Sequence, residues 1–216
     1  MLNEKLHFYI EGLIQERNPL LTEMESYAEI HKVPIMEIAG IEALLQLLRI
    51  QNSKKILEVG TAIGYSALRM ANALPDSQIV TIERDEERIQ AAKDFIKRSE
   101  HAHQITLVEG DALEVEEIVN KFAPYDTVFI DAAKGQYKKF FEIYSKHLSD
   151  DGMIITDNVL FKGLVAEEEI ESKRVRNLVK KINEFNHWLT QHPDYDSVIL
   201  PVGDGVAISK RRGERK

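Results

Sequence analysis

The spacing of apolar residues divides the chain into two regimes. Up to about residue 50, leucines and isoleucines recur at helical intervals, and Ile38, Ile41, Leu44, Leu45 and Leu48 line one face. The pattern predicts helices over about 3–17, 20–31 and 37–49. Further on, short apolar runs alternate with amphipathic stretches, which predicts strands at about 55–59, 78–83, 105–108, 126–130 and 151–156. Thr127-Val128-Phe129-Ile130 and Met153-Ile154-Ile155-Thr156 carry apolar residues toward both faces, as buried parallel strands do. The rhythm then breaks. A charged helix over about 167–191 precedes Ser197-Val198-Ile199-Leu200 and Val206-Ala207-Ile208-Ser209, which a Gly/Asp-rich turn joins into a hairpin. The expectation is an α/β fold with a mostly parallel sheet, an antiparallel last strand and helices on both faces. No repeat or linker interrupts the chain, so residues 1–216 read as one domain, with N-terminal helices over 1–50 and a core over 51–212.

Composition narrows the chemistry. The chain is 44% hydrophobic and 30% charged, an ordinary balance that supplies both a core and a solvated surface. No apolar run approaches the ~20 residues of a membrane helix. The start, Met1-Leu2-Asn3-Glu4-Lys5, lacks the features of a signal peptide, so no membrane partner and a cytoplasmic location are expected. The absence of cysteine excludes disulfides, zinc–thiolate sites and a thiol nucleophile. A net charge of −8 argues against nonspecific nucleic-acid binding, which relies on neutralising phosphates. Positive charge is nevertheless concentrated at Lys173, Arg174, Arg176, Lys180 and Lys181, and in the tail from Lys210 to Lys216, which leaves an RNA partner open.

The candidate site lies where strands end. Asp131-Ala132-Ala133-Lys134 and Asp157-Asn158 each follow directly on an apolar strand, and such positions gather in the ligand crevice of an open α/β sheet. Two carboxylates and an amide oxygen suit a hard divalent cation, which keeps positions open for water and substrate. Lys134 would stand beside whatever the cation holds. A second cluster surrounds Gly60-Thr61-Ala62-Ile63-Gly64, a turn spaced G-x-x-x-G. It lacks the middle glycine that admits a pyrophosphate in dinucleotide folds, and no P-loop lysine follows. A phosphate-free, adenosine-like ligand fits that departure. Glu83, at the tip of the second strand, is placed to accept hydrogen bonds from both ribose hydroxyls, and Asp111 with the Ala112 amide to meet an adenine edge. Asp85 and Glu86 read as the acidic first turn of a helix. His101 and His103 read as loop histidines, Trp188 as packing, and Tyr65 and Phe161 as possible borders of a substrate.

Together these residues resemble the class I S-adenosylmethionine-dependent methyltransferases, with their Rossmann-like fold. More narrowly, they resemble the cation-dependent O-methyltransferases that include catechol and caffeoyl-CoA O-methyltransferases. The likeness spans about 30–212 and is carried by Glu58 to Ser66, Glu83, Gly110-Asp111-Ala112, Asp131 to Lys134, Asp157-Asn158 and Leu200 to Gly205. It implies a seven-stranded sheet with a reversed last strand, a homodimer, and S-adenosyl-L-methionine with Mg²⁺ or Mn²⁺ as cofactors. Asp131, Asp157 and Asn158 would hold the metal, with Asp131 also next to the methyl donor and in the catalytic group. Glu83 would hold the ribose, Asp111 and Ala112 the adenine, and Met36, Glu58, Gly60 and Ser66 the methionine portion or its surroundings. Among bacterial members the chain is most similar to those that methylate tRNA 5-hydroxyuridine at the anticodon wobble position. The stretch Val159 to Val165 and the acidic run Glu167-Glu168-Glu169 depart from the plant substrate loop, which argues against a phenylpropanoid-CoA acceptor.

The mechanism expected of such a site starts with loss of the acceptor's hydroxyl proton, assisted by the cation and with Lys134 as candidate general base. A cation that chelates two adjacent oxygens serves a catechol or a 5-hydroxyuridine equally. The acceptor is therefore expected to be the tRNA anticodon arm, reached by Arg174, Arg176, Lys180 and the C-terminal cations, or alternatively a small catechol.

Overall fold

The computed structural model describes residues 4–213. Three helices come first, α1 (Glu4–Glu11), α2 (Pro19–His31) and α3 (Ile38–Gln51). There follow β1 (Lys55–Val59), α4 (Tyr65–Ala73), β2 (Gln78–Glu83), α5 (Glu86–Arg98), β3 (Ile105–Glu109), α6 (Glu116–Val119), β4 (Tyr125–Ile130), α7 (Tyr137–Tyr144) and β5 (Leu148–Thr156). The last elements are α8 (Lys173–Thr190), β6 (Tyr195–Leu200) and β7 (Val206–Arg211). Seven strands form one sheet in the order β3-β2-β1-β4-β5-β7-β6. The five strands β1 to β5 pair in parallel, and β7 lies antiparallel between β5 and β6. This is the Rossmann-like α/β class expected from the sequence.

The period-two alternation of the strands splits the core into two halves. Leu57, Val59, Val128, Ile130 and Ile154 face Val119, Phe140, Phe141, Tyr144, Phe185 and Leu189, contributed by α6, α7 and α8. Ile56, Phe129, Met153 and Ile155 face the other way, onto Leu21 and Met24 of α2, Ile41, Leu44 and Leu48 of α3, and Leu68 of α4. The N-terminal helices therefore complete one helical layer, because without them the Ile56–Ile155 face would meet water.

Two helices are shorter than their periodicity predicts. α1 stops at Glu11, because the chain leaves the helix to reach Asn18, whose side chain accepts a hydrogen bond from Leu21 N at 3.0 Å and caps α2 with Pro19 in its first turn. Asn3, where the first helix was expected to begin, lies outside the described residues. The basic helix starts at Lys173 rather than near 167, since the Ser172 hydroxyl caps it by accepting from Val175 N.

Strand order reverses between β1 and β4, so their C-terminal ends border a crevice. Backbone hydrogen bonds carry the ladder one residue past the strands. Gly60 N donates to Ile82 O (3.1 Å), Asp131 N to Val59 O (2.9 Å) and Asp157 N to Ile130 O (3.0 Å). The loops that carry the candidate residues thus leave the sheet side by side.

Candidate active site

Gly60 sets the separation of two of these loops. Its φ is +108°, and a Cβ there would lie 2.0 Å from the Asp131 carbonyl oxygen. No larger residue lets β1 and β4 end this close together. The turn continues through Ala62 (φ +47°), whose N–H donates to Glu83 Oε2 at 2.8 Å. Glu83 is buried and also accepts from Arg84 N (2.9 Å) and Asp85 N (3.0 Å), so its carboxylate is pinned across the tips of β1 and β2. Asp85 instead caps α5, accepting from Arg88 N at 3.0 Å, and Glu86 sits in that helix's first turn, as their sequence pattern implies.

Glu58 lies below the same turn with no solvent exposure. Ser66 Oγ donates to its Oε1 and Thr81 Oγ1 to its Oε2, while Thr81 and Thr61 hydroxyls meet at 2.6 Å. Burial pushes the carboxyl up to about 7, against the two hydroxyl donors and with the charges of Asp131 and Glu83 adding to the rise. Met36 is buried against Gly40 in the α2–α3 half of the core.

At the tip of β3, Gly110 leads into Asp111. Its carboxylate accepts from Leu113 N (2.9 Å) and from Arg84 Nη1 (2.8 Å), and these contacts, the backbone one foremost, lower its pKa despite desolvation. Ala112 is buried, and its carbonyl accepts the Tyr144 hydroxyl at 2.6 Å.

The oxygen donors are at the ends of β4 and β5. Asp157 is 2% exposed, and Asp131 is half-buried. Burial raises the pKa of both; Asp131 further raises Asp157, Asp204 raises both, and Lys134 opposes the shift in each. Asn158 adopts φ +60° and donates from Nδ2 to Asp157 Oδ2 at 2.8 Å. Lys134, in the turn before α7, directs Nζ onto Asn158 Oδ1. Burial lowers the Lys134 pKa against the pull of Asp131, Asp157 and Asp204. Its ammonium lies 5.8 Å from the centre of the half-buried Phe161 ring. Among the described residues no group of three or more His, Cys, Asp or Glu side chains is placed to hold a metal. The donor set is two carboxylates and one amide oxygen. Such oxygen-only, acidic surroundings, in which burial and neighbouring carboxylates disfavour ionisation of Asp131 and Asp157, fit a hard divalent cation.

Several partners were not singled out in the sequence. Asp204, in the β6–β7 turn, accepts the Lys162 N–H on Oδ1 and the Leu160 N–H on its carbonyl (2.9 Å), tying the hairpin to the loop after β5. Asn186 of α8 donates to Val159 O at 2.8 Å, and Tyr137 donates to Asp157 O at 2.8 Å. Burial and the charges of Asp131, Asp157 and Asp204 hold Tyr137 well above the usual phenol range, so it stays a donor. Asp204 lies within the Leu200 to Gly205 stretch that carries the resemblance, and helical spacing puts Tyr137 and Tyr144 on one face.

Two expectations need correction. Tyr65 does not border the cleft. It is 3% exposed, and its hydroxyl donates to Glu25 of α2 (2.5 Å) while accepting from Arg69 (2.8 Å), because its ring turns into the N-terminal layer. Among the described residues, the C-terminal cations do not flank the site either. Lys210 pairs with Met153, at the far end of the β5 ladder from Asp157, since β7 runs antiparallel to β5. Arg212 meets Asp196 at 2.7 Å, and Arg215 and Lys216 lie outside the described residues. Arg176 is engaged by Ile170 O at 2.7 and 3.0 Å, while Arg174 and Lys180 are exposed. His101 bonds to Gln104 and Asn72 and His103 to Glu100 O, ordinary loop contacts. Trp188 packs on Phe141 and Phe185, at ring separations of 5.2 and 5.9 Å.

Comparison with known proteins places the chain in a class. The model of the O-methyltransferase family matches residues 13–212. The flavonoid 3′,5′-methyltransferase of Vitis vinifera is 32% identical over 196 residues, 88% of this chain and 82% of the relative. The caffeoyl-CoA O-methyltransferase of Populus kitakamiensis is 33% identical over 174 residues, 78% and 74% of the two chains. A crystal structure of a Staphylococcus aureus protein provisionally named caffeoyl-CoA O-methyltransferase superposes with a TM-score of 0.89 at 42% identity, covering 94% of this chain and 98% of that one. The chain belongs to the O-methyltransferase family.

Proposed function

We propose that this protein transfers a methyl group from S-adenosyl-L-methionine to a hydroxyl that lies beside a second oxygen, at a site holding Mg²⁺ or Mn²⁺. The observation that carries the reading is the juxtaposition of buried Asp157, Asp131 and the Asn158 amide oxygen with the Lys134 amine. When bound, the sulfonium supplies an electrophilic methyl and the cation an acid that makes an acceptor hydroxyl easier to ionise. The chain's own residues do the rest. Glu83 and Asp111 present carboxylates to the ribose and adenine. Glu58, enclosed beneath the turn, acts through Ser66. Asp131, Asp157 and Asn158 hold the cation. Lys134 Nζ, kept less basic by burial, takes the acceptor proton, and Phe161 covers the acceptor ring. Much of the rate gain should come from holding oxygen and methyl at attack distance.

For the acceptor, the names of the relatives favour a small catechol-like phenol. A second reading, 5-hydroxyuridine in the tRNA anticodon loop, is supported by a cationic rim. The Lys181 amine lies 3.5 Å from where a Cβ on Gly135 would stand, next to Lys134, and Lys173 and Arg174 are exposed on the same helix. Purified protein with S-adenosyl-L-methionine and Mg²⁺ is expected to methylate a catechol, to lose turnover with a chelator, and to lose kcat but not cofactor affinity in Lys134→Ala. Turnover unaffected by chelation would reject the metal role. Mass spectrometry of tRNA nucleosides from cells lacking the gene separates the acceptors, because accumulated 5-hydroxyuridine would select tRNA and an unchanged profile the small molecule.

A further inference from the structure

α7 carries two tyrosines, Tyr137 and Tyr144, exposed by 1% and 0% and packed in the same half of the core. Seven residues apart, they lie two turns along one helical face. Each donates its hydroxyl to a backbone carbonyl in a different loop. Tyr137 holds Asp157 O at 2.8 Å and Tyr144 holds Ala112 O at 2.6 Å.

The planarity of the peptide unit gives these bonds leverage. The Ala112 carbonyl shares its plane with Leu113 N–H, which donates to Asp111 Oδ1 at 2.9 Å. The Asp157 carbonyl belongs to the peptide that carries Asn158, whose side-chain Nδ2 donates to the Asp157 carboxylate at 2.8 Å. In both loops a tyrosine holds the peptide carbonyl, while the loop's aspartate accepts from the next residue, through Leu113 N–H in one and the Asn158 side chain in the other. Rotation of either peptide would shift that aspartate, because Leu113 N–H and the Asn158 side chain, which hold the two carboxylates, are carried by those same peptides.

We propose that α7 is a positioning element for both halves of the site, with Tyr137 orienting the metal-binding loop and Tyr144 the adenine-binding loop. The inference takes its loop assignments from the proposed function above. It makes the two effects separable, since each hydroxyl reaches one loop only. Tyr125 supplies a matched control, since its hydroxyl donates to Val119 O at 2.7 Å, at the opposite end of β4 from Asp131.

The test is titration calorimetry of the metal-free protein with Mn²⁺ alone and, separately, with S-adenosylhomocysteine alone. Tyr137→Phe keeps the buried ring and should weaken Mn²⁺ binding about tenfold while leaving nucleoside affinity within about twofold. Tyr144→Phe should do the reverse, weakening S-adenosylhomocysteine about tenfold with Mn²⁺ binding unmoved. Tyr125→Phe should change neither, although it lowers thermal stability as the others do. Equal losses of both ligands in all three variants, or no change in Tyr137→Phe and Tyr144→Phe, would overturn the inference. Asp157→Ala and Asp111→Ala test the loop assignments themselves. Wild-type Mn²⁺ affinity in Asp157→Ala, or wild-type nucleoside affinity in Asp111→Ala, removes the assignment for that loop. If those two variants lose their ligands while the tyrosine variants do not, the inference alone falls.

Discussion

Glu58 is a carboxyl group sealed under the glycine turn, with both oxygens occupied by hydroxyls and like charges at Asp131 and Glu83 nearby. Its folded pKa of about 7 exceeds its ordinary value of 4.5, so the folded protein binds this proton more tightly than the unfolded chain. The stability it contributes is complete below pH 4.5 and is lost as the pH rises through 7. Urea unfolding of the metal-free protein across that window should show Glu58→Gln losing less stability than wild type, by on the order of 3 kcal/mol. Identical slopes for the two proteins would mean that the carboxyl is ionised throughout. The sequence marked Glu58 by resemblance alone. Nothing in the spacing revealed that Thr81, on the neighbouring strand, would share it.

Between elements, the controlling contact is that of Gly60 with the Asp131 carbonyl. The G-x-x-x-G turn suggested close approach of a ligand, whereas the structure adds a close approach of β4. Gly60→Ala would force a Cβ into a backbone oxygen at a φ that side chains avoid. We expect it to cost at least ~2 kcal/mol of stability and to weaken nucleoside and metal binding together, because both loops are displaced. Calorimetry and denaturant unfolding check this; retention of both affinities would show that the strands can part without harm to the site. The N-terminal helices are tied in by a charged relay. Arg17 meets Glu25 at 2.8 and 2.9 Å, Glu25 accepts from Tyr65, and Arg69 links Tyr65 to Glu42 of α3. Helical periodicity located α2 and α3 but could not show that Tyr65 faces them instead of the cleft.

Across the whole molecule, the fold gathers acidic groups at the C-terminal ends of the parallel strands and covers both faces of the sheet with helices. Carboxylates whose pKa is raised by burial and by neighbouring acids cost stability until a cation neutralises them. Under the proposed function, saturating Mg²⁺ should raise the melting temperature of metal-free protein by several degrees, through preferential binding to the folded state. Asp157→Ala should melt no lower than wild type in chelator and should not respond to Mg²⁺. A magnesium response surviving in that variant would place the cation elsewhere.

The linear order of residues determined the elements, the parallel core strands and the closing hairpin, and it marked the strand-end members of the candidate site, because apolar period and turn residues act within a few positions of themselves. Asp131, Asp157 and Asn158 were legible for that reason, as residues that follow apolar strands. Contacts between distant segments were decided by packing. The hydroxyls of Tyr137 and Tyr144, the tether from Asp204, the inward turn of Tyr65 and the far position of Lys210 all depend on which strand lies beside which. Neighbourhood in a sheet ordered β3-β2-β1-β4-β5-β7-β6 is set by the burial of whole faces, and no local pattern encodes it.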